Sequence, residues 1–297
     1  MKHFIFCYLL LAAGLLKAQE QPCIPIVPPQ QSEETKKLYD QKLQEAKSKL
    51  IEDSANADHI IWYGRRTGYT GRYTDAINIY TRGISMHPNN ARFYRHRGHR
   101  YITVRCFDKA ITDLTKATEL FKDQVDEIEE DGLPNAKNIP TSTLQTNSWY
   151  HLGLAHFLKG DYINALEAYN ECIGIIDNDD MYVATANWLL ITFKRLGKNK
   201  EADELLKTIN ERMDIIENRD YQDILLMYKN NDDKKLVEKT MAQDSLSNAA
   251  LGFGLGNYYL EKGQKKKAKE VFEKVVAGNQ WASFGFIAAE AELKRMK

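Results

Sequence analysis

The chain has 297 residues, 28% of them charged, and its 41 lysines and arginines equal its 41 aspartates and glutamates. This balance excludes any inference about partners from the total charge, so only the distribution of charge along the chain is informative. Beyond the N-terminal apolar run, no stretch of the sequence is apolar enough to span a bilayer.

The first 18 residues have the pattern of a signal peptide. Lys2 and His3 precede an apolar run at residues 4–16, which has the length of a signal-peptide core rather than of a membrane span. Ala18 provides a small residue immediately before the expected cleavage point. The sequence therefore predicts an exported protein, periplasmic or secreted, with no stable membrane span after cleavage; an uncleaved anchor is the alternative.

The segment after the signal peptide contains few features of a folded core. Residues 19–31 hold four of the seven prolines and predict an extended, exposed leader. Residues 32–56 predict an amphipathic helix that caps the N-terminal end of the helical region.

The mature chain has three cysteines far apart in sequence, so no structural disulfide framework is expected. Cys172 is predicted to face inward and to pack as a small apolar residue.

The stretch from Ser148 to Asp177 predicts a helical hairpin. Its apolar and small residues recur at steps of three and four on either side of a turn at Gly160. Gly153 and Ala165 lack bulk, which lets the two helices approach, and a lone hairpin cannot bury both of its faces. The same spacing recurs elsewhere, at Tyr63, Gly64, Ala76 and Tyr80, at Gly98, Tyr101 and Ala110, at Leu189, Phe193 and Ala202, and at Gly256, Tyr259 and Ala268.

This recurrence resembles the tetratricopeptide repeat, a unit of about 34 residues with the pattern W-x2-L-G-x2-Y, then A-x3-F, then P. Two units match residues 57–122 and four match residues 146–280, of which the fifth is degenerate. Residues 281–297 predict a closing helix whose Glu290, Glu292, Lys294 and Arg295 face solvent. The resemblance implies an all-α, right-handed α-solenoid of about five to six hairpins, which acts as a non-catalytic protein-interaction or assembly module. It also implies that the first helix of each unit lines a concave groove.

The segment from Ser54 to Phe107 is strongly basic, with nine arginines, no lysine and two acids. Arg92, Arg95 and His99 are spaced by three and four residues, so they share one face of a helix. The planar guanidinium group matches carboxylate and phosphate oxygens. The predicted ligand-binding residues are Arg65, Tyr69, Arg92, Arg95, His96, His99 and Tyr150.

We expect this surface to hold an acidic or extended peptide segment of a protein partner. A solvated basic face without a ligand is the alternative interpretation. Two other functions remain open: a small-anion-binding protein or hydrolase that uses His96, His99 and the arginines, and a purely structural spacer. The sequence does not determine the oligomeric state.

Residues 123–145 form an insertion between the second and third units. Its first part, DQVDEIEED at residues 123–131, is acidic, and prolines and a glycine come after it. Opposite charge and closeness in sequence suggest that this part folds back over the arginines as a built-in mimic of the ligand. A flexible, solvated loop is the alternative.

Three further patterns affect the choice of function. Arg97 stands at an inward position where other units have an apolar or aromatic residue, so we expect an acid such as Asp75 or Asp113 to pair with it. His96 and His99 have the H-x-x-H spacing of some metal sites, but the surrounding arginines disfavour a cation, so no metal is expected. The glycines at residues 252–256 are assigned to helix packing rather than to phosphate binding. No cofactor and no nucleic-acid partner are expected.

Overall fold

The computed structural model of the protein describes residues 22–130, 135–241 and 248–297. Within these ranges the chain forms fourteen α-helices and an isolated β-bridge. The helices are α1 (Glu33–Glu52), α2 (Ala57–Tyr69), α3 (Tyr73–Met86), α4 (Ala91–Thr103), α5 (Phe107–Phe121), α6 (Leu144–Lys159), α7 (Tyr162–Gly174), α8 (Asp179–Arg195), α9 (Asn199–Thr208), α10 (Arg219–Asn230), α11 (Lys234–Met241), α12 (Ala249–Glu261), α13 (Lys265–Val276) and α14 (Phe284–Arg295). Among them there is no helix with the length and hydropathy of a membrane span. The predicted signal peptide, residues 1–18, lies outside the described residues.

Helices α2 to α13 form six successive helical hairpins, and each hairpin packs against the next along the chain. The all-α solenoid predicted from the repeat spacing is therefore confirmed. Most first helices begin at a side chain that accepts a hydrogen bond from the backbone of the first turn, which satisfies amide groups that have no partner within the helix. These capping residues are Asn56, Asn90, Thr143, Asn178 and Asn248.

The two helices of a hairpin approach most closely where the repeat has glycine. A Cβ atom added at Gly153 would lie 2.6 Å from the ring of Tyr169, and one at Gly256 would lie 2.3 Å from the ring of Phe272. Non-bonded carbon atoms pack at about 3.5–4.0 Å, so a side chain at either position would force the hairpin apart. The glycine and the aromatic ring thus fix the spacing within the hairpin.

The array closes on itself, whereas the resemblance implied an open concave groove. Trp188 of α8 stacks on Phe253 of α12 with ring centres 5.3 Å apart. Helix α14 packs against α12 and α13 and also against α6. Arg295 donates a hydrogen bond to the carbonyl oxygen of Phe157 at 3.1 Å. The inner side of the later units is therefore filled by the chain itself.

The polar side of the closing helix differs from the prediction because α14 is enclosed. Glu292 was expected in solvent, but it is 3% exposed. Its carboxylate pairs with Arg295 at 2.6 Å and with Arg195 at 3.3 Å. Helix α14 thus contacts protein on its polar side as well as on its apolar side.

The prediction that the cysteines form no structural disulfide is wrong. Cys23 and Cys106, 83 residues apart, form a disulfide. The leader was expected to be exposed, but it returns to the second unit, where Ile24 and Ile26 pack against the core. Cys172 is free and buried, as predicted, and burial raises the pKa of its thiol to about 12.

The turn between α4 and α5 connects both ends of the described chain. Cys106 holds the leader through the disulfide. Arg105 donates hydrogen bonds to the carbonyl oxygen of Trp281 at 2.9 Å and to the carboxylate of Glu290 at 3.0 Å. Its guanidinium also lies 3.9 Å from the centre of the Trp281 ring. This turn therefore fixes the leader and the closing segment to the second unit.

Candidate functional site

The residues predicted to bind a ligand lie on the first helices of the first three units. Arg65 and Tyr69 belong to α2, Tyr150 belongs to α6, and the remaining four belong to α4. Helix α4 packs between α2 and α6. The structure thus brings the three helices side by side, and we call the surface formed by Arg65, Arg92 and Arg95 the basic face.

At the centre of the basic face, Arg95 forms an ion pair with Glu129 of the acidic insertion. Arg95 Nε lies 2.8 Å from Glu129 Oε2, although its N–H group is not aligned for a hydrogen bond. The two side chains are 8% and 11% exposed, so the pair is largely removed from water. A charge-paired contact of this kind is stronger than one at the surface, since water screens it less.

The segment that carries Glu129 is held in place by its backbone. We call residues 123–130 the acidic arm. The Glu129 amide donates to the carbonyl oxygen of Ser142 at 3.1 Å, and the Leu144 amide donates to the carbonyl oxygen of Glu127 at 2.8 Å. The Asp126 carboxylate accepts from the Thr143 hydroxyl at 2.6 Å, at the start of α6. These contacts hold residues 126–129 in place beside the start of α6 and put Glu129 on the basic face, whereas residues 123 and 124 form a turn after α5. Asp131 lies outside the described residues.

The other two arginines of the basic face border a cavity of about 230 Å³ between α2, α4 and the acidic arm. Arg92 pairs with Asp58 at 2.5 Å in a partly exposed contact. Arg65 stacks on the Trp62 ring, with its guanidinium carbon 4.4 Å from the ring centre. Among the described residues, no carboxylate lies within ion-pair distance of Arg65. The Arg65 guanidinium therefore forms no close ion pair among the described residues, although it attracts the Glu129 carboxylate at longer range.

The predicted histidines lie in a largely buried group in contact with Arg95 of the basic face. We call His96, His99 and His151 the histidine cluster. The rings of His99 and His151 lie 4.6 Å apart, and each lies 5.4 Å from the ring of Phe284 of the closing segment. Burial, followed by the positive charge of nearby arginines, holds the pKa of each histidine well below its usual value. All three rings are therefore neutral near pH 7, and their faces are used in packing.

This arrangement covers most of His99 and Tyr150, whereas His96, 5% exposed, borders the cavity. Tyr150 is 6% exposed, and its hydroxyl accepts a hydrogen bond from Trp188 Nε1 at 2.8 Å. Tyr69 is half-buried against the N-terminal helix, where its ring lies 6.0 Å from that of Tyr39. Of the predicted residues, Arg65, Arg92 and His96 line the cavity, the two arginines as partly exposed side chains. Arg95 is buried against Glu129.

The expected acid partner of Arg97 is confirmed as Asp113. Arg97 Nε and Nη2 each lie 2.7 Å from a carboxylate oxygen of Asp113, a two-pronged contact. The Thr81 hydroxyl accepts a third hydrogen bond from the guanidinium at 2.9 Å. Because the charge is fully paired inside the second unit, Arg97 is a structural residue and not part of the basic face.

Two residues of the cavity were not predicted from the sequence. Asp58 stands 34 residues before Arg92, the length of one repeat, so it occupies the same position of the preceding unit. That register could have suggested their pairing. Trp62 stands three residues before Arg65, a spacing that places both on one helix face. Aromatic residues in this segment fit core positions equally well, so spacing alone does not mark Trp62 as a site residue.

The side chains that border the cavity are suited to binding carboxylates. Guanidinium groups, an indole ring and extended backbone lie together at the cavity. Across the described part of the chain, no group of three histidine, cysteine or acidic side chains has a geometry that could hold a metal ion.

Comparison with known proteins agrees with the repeat architecture. The family model described as "Tetratricopeptide repeat" matches residues 146–179 and 253–277. A tetratricopeptide repeat protein from Parabacteroides merdae has a similar structure, with 16% identity, a TM-score of 0.52, and coverage of 88% of this chain and 95% of that chain. YrrB, described as a TPR protein with an unusual peptide-binding site, has 14% identity and a TM-score of 0.44, with coverage of 83% and 97%. The comparison with curated proteins gives no significant match.

The fold defines an α-helical repeat protein, a class in which stacked hairpins provide a scaffold for other molecules. More specifically, residues 146–179 and 253–277 match the tetratricopeptide repeat, as the sequence pattern predicts, and the similar structure has the same helical-repeat fold. This fold supports a protein–protein interaction module.

Proposed function

We propose that the protein is an exported interaction module that holds an acidic, extended segment of a partner protein on its basic face. The observation that carries the proposal is the ion pair between Arg95 and Glu129. Glu129 belongs to an acidic segment in extended conformation, and this segment lies against the surface for which the sequence predicts such a ligand. In this proposal the acidic arm is an internal occupant that the partner's segment replaces.

The exchange is energetically reasonable because it conserves the buried ion pair. Removing one member of a buried pair leaves an uncompensated charge and costs about 3–5 kcal/mol. A carboxylate of the partner that takes the position of Glu129 restores the pair with Arg95. Arg65, which borders the cavity and attracts the Glu129 carboxylate at longer range, offers a second contact for the partner's segment.

The disulfide supports the proposal of export. Disulfides persist in oxidising compartments outside the cytosol, and cytosolic thiols are usually kept reduced. Cys23 lies after the expected cleavage point of the signal peptide, so the mature chain retains the bond with Cys106. The signal-peptide pattern and the disulfide are independent features that favour the same compartment.

The proposal can be tested with the arm's own sequence as the probe. In the receptor variant, residues 123–130 are replaced by a glycine–serine linker of equal length. The probe is a fluorescent peptide with the sequence DQVDEIEE, and binding is measured by anisotropy. We expect the arm-replaced variant to bind the peptide at least about tenfold more tightly than the intact chain, because the tethered arm competes at a high effective concentration.

Charge specificity is tested on both sides of the contact. Replacing the glutamate of the peptide that corresponds to Glu129 by glutamine should weaken binding by about tenfold or more, as expected for one partner of a buried charge pair. Arg65→Gln in the receptor should also weaken binding, whereas Arg82→Gln, an exposed arginine on α3, should not. An arm-replaced variant that folds but does not bind the peptide would contradict the proposed site. Equal binding by the intact and arm-replaced chains would contradict only the role of the arm.

A further inference from the structure

Lysines are concentrated at one edge of the later units, where the first helix of each hairpin ends and the turn to the second helix begins. The segments around the ends of α8, α10, α12 and α14 hold twelve lysines and arginines and three acids; they are residues 194–200, 230–235, 261–267 and 294–296. We call these four segments the lysine edge. They are separated in sequence, so only the fold can bring their charges together.

Contacts between the helix ends place the four segments side by side. Arg195, at the end of α8, lies 3.1 Å from the carboxylate of Glu261, at the end of α12. It also lies 3.3 Å from the carboxylate of Glu292 on α14. The Tyr258 hydroxyl of α12 donates a hydrogen bond at 2.8 Å to the side chain of Asn231, the residue after α10. The ends of all four helices therefore meet at one edge of the array.

Part of this positive charge is neutralised within the fold. Arg195 pairs with Glu261 and Glu292, and Arg295 also pairs with Glu292. Five lysines form ion pairs with acids of the same or a neighbouring element; they are Lys194, Lys198, Lys235, Lys267 and Lys294. These side chains contribute to the structure of the edge, so they are not counted as free charge.

The other five lysines of the edge face solvent. Each is exposed, and among the described residues none has a carboxylate within ion-pair distance; they are Lys200, Lys234, Lys262, Lys265 and Lys266. Lys200 attracts the Glu201 carboxylate at longer range, and Lys262 lies 5.4 Å from the centre of the Tyr258 ring. Asp232 is an exposed acid of the edge that also forms no ion pair with the described residues. An excess of positive charge therefore remains on this edge.

The opposite ends of two first helices are acidic. Residues 123–130, beside the start of α6, and residues 176–180, at the start of α8, hold eight acids and no lysine or arginine. The whole chain has equal numbers of positive and negative residues. Its attraction to an anionic partner must therefore come from this separation of charge, which also orients the molecule with the lysine edge toward the partner.

The lysine edge suits a flat anionic surface better than a nucleic acid. Proteins that bind single strands combine positive charge with aromatic side chains on which the bases stack, and the four segments contain no aromatic residue. The free cations are lysines, which are hydrated point charges without the planar fork by which arginine contacts base edges. Clusters of such lysines are attracted to the headgroups of an acidic lipid bilayer.

We propose that the protein binds the surface of an anionic lipid bilayer through the lysine edge. The lipid phosphates supply the negative charge that the five free lysines lack within the chain. Each lysine close to such a surface strengthens binding by about fivefold, and the attraction weakens as salt screens it. The contact uses none of the arginines of the basic face, so it does not depend on the proposed peptide site.

The experiment measures co-sedimentation of the chain without residues 1–18 with vesicles made of phosphatidylglycerol and phosphatidylcholine in equal parts. The intact chain should bind these vesicles at low salt, release as salt is added, and not bind vesicles of phosphatidylcholine alone. The triple variant Lys262→Gln, Lys265→Gln, Lys266→Gln should bind about a hundredfold more weakly, from about fivefold for each lysine. A circular dichroism melt of each variant verifies that the fold is retained.

The matched control removes the same charge elsewhere. Lys37, Lys47 and Lys122 are exposed and lie on α1 or just after α5, away from the lysine edge. Their replacement by glutamine should leave vesicle binding within about twofold of the intact chain, because charges more than about 10 Å from the surface are screened.

Four results would overturn the proposal. They are an intact chain that does not bind the acidic vesicles at low salt, equal binding to neutral vesicles, and an equal loss of binding in the two triple variants. The fourth is tighter binding to a DNA oligonucleotide than to the vesicles at the same salt concentration, which would assign the lysine edge to a nucleic acid instead.

Discussion

The disulfide between Cys23 and Cys106 should contribute strongly to stability, and Cys23→Ser tests this. A cross-link restricts the unfolded chain, and the loss of entropy grows with the length of the loop that it closes. For a loop of 83 residues, the chain-entropy relation gives about 4.5 kcal/mol at 25 °C. At about 2–4 °C per kcal/mol for a chain of roughly this size, the melting temperature should decrease by about 9–18 °C.

Thermal unfolding followed by circular dichroism, with and without a reducing agent, measures this effect. The reducing agent should lower the melting temperature of the intact chain toward that of Cys23→Ser and should leave the variant unchanged. The variant with and without the reducing agent is the control, because it reveals any effect of the reagent on the free, buried Cys172. If the intact chain and the variant melt at the same temperature without reducing agent, the bond does not stabilise the fold by restricting the unfolded chain.

Three further predictions concern the core of the array. Asp113→Asn should destabilise the protein by about 3–5 kcal/mol in urea unfolding, because Arg97 loses its buried partner; the double variant Arg97→Met, Asp113→Leu should cost less, and an equal cost would contradict the pairing argument. Gly153→Ala should cost about 1–3 kcal/mol through contact with Tyr169, whereas Gly174→Ala, with no atom within 4 Å of the added Cβ, should be neutral or slightly stabilising. The histidine cluster is neutral when folded, so its contribution is complete above about pH 6.5, where the unfolded chain is also neutral. Below that pH the unfolded chain binds protons first, and stability should fall by up to about 1.4 kcal/mol per pH unit for each histidine; a flat profile between about pH 7.5 and 5.5 would contradict the burial of neutral rings.

Much of the site could be predicted from local spacing. The positions of Arg65, Arg92 and Arg95 on adjacent first helices follow from the repeat, because residues three and four apart share a helix face and residues one unit apart occupy equivalent positions. The pairing of Arg97 with Asp113 follows from the cost of an unpaired buried charge. These inferences need only the neighbouring turn or the neighbouring unit.

Which predicted site residues remain accessible to a ligand depends on contacts between residues far apart in sequence, and the spacing of residues within one or two units does not predict such contacts. His99 is covered by Phe284, which is far from it in sequence. Tyr150 is covered because α14 crosses to α6 and the inner helices meet one another. The sequence predicted a closing helix, but it did not predict that this helix fills the inner side of the array.

The sequence alone determined the repeat, the helices and the class of protein, because each hairpin is specified by its own apolar spacing, capping residues and glycines. Only the tertiary structure decided how far the array curves, and therefore which surfaces remain exposed. Curvature is the accumulated result of small rotations between units, and here it brings Arg105 to Glu290 across 185 residues. The return of the leader, which brings Cys23 to Cys106 across 83 residues, is likewise a contact between distant parts of the chain. The placement of Glu129 on Arg95 is also decided by tertiary contacts, namely the packing of α4 beside α6 and the hydrogen bonds that hold the acidic arm at the start of α6.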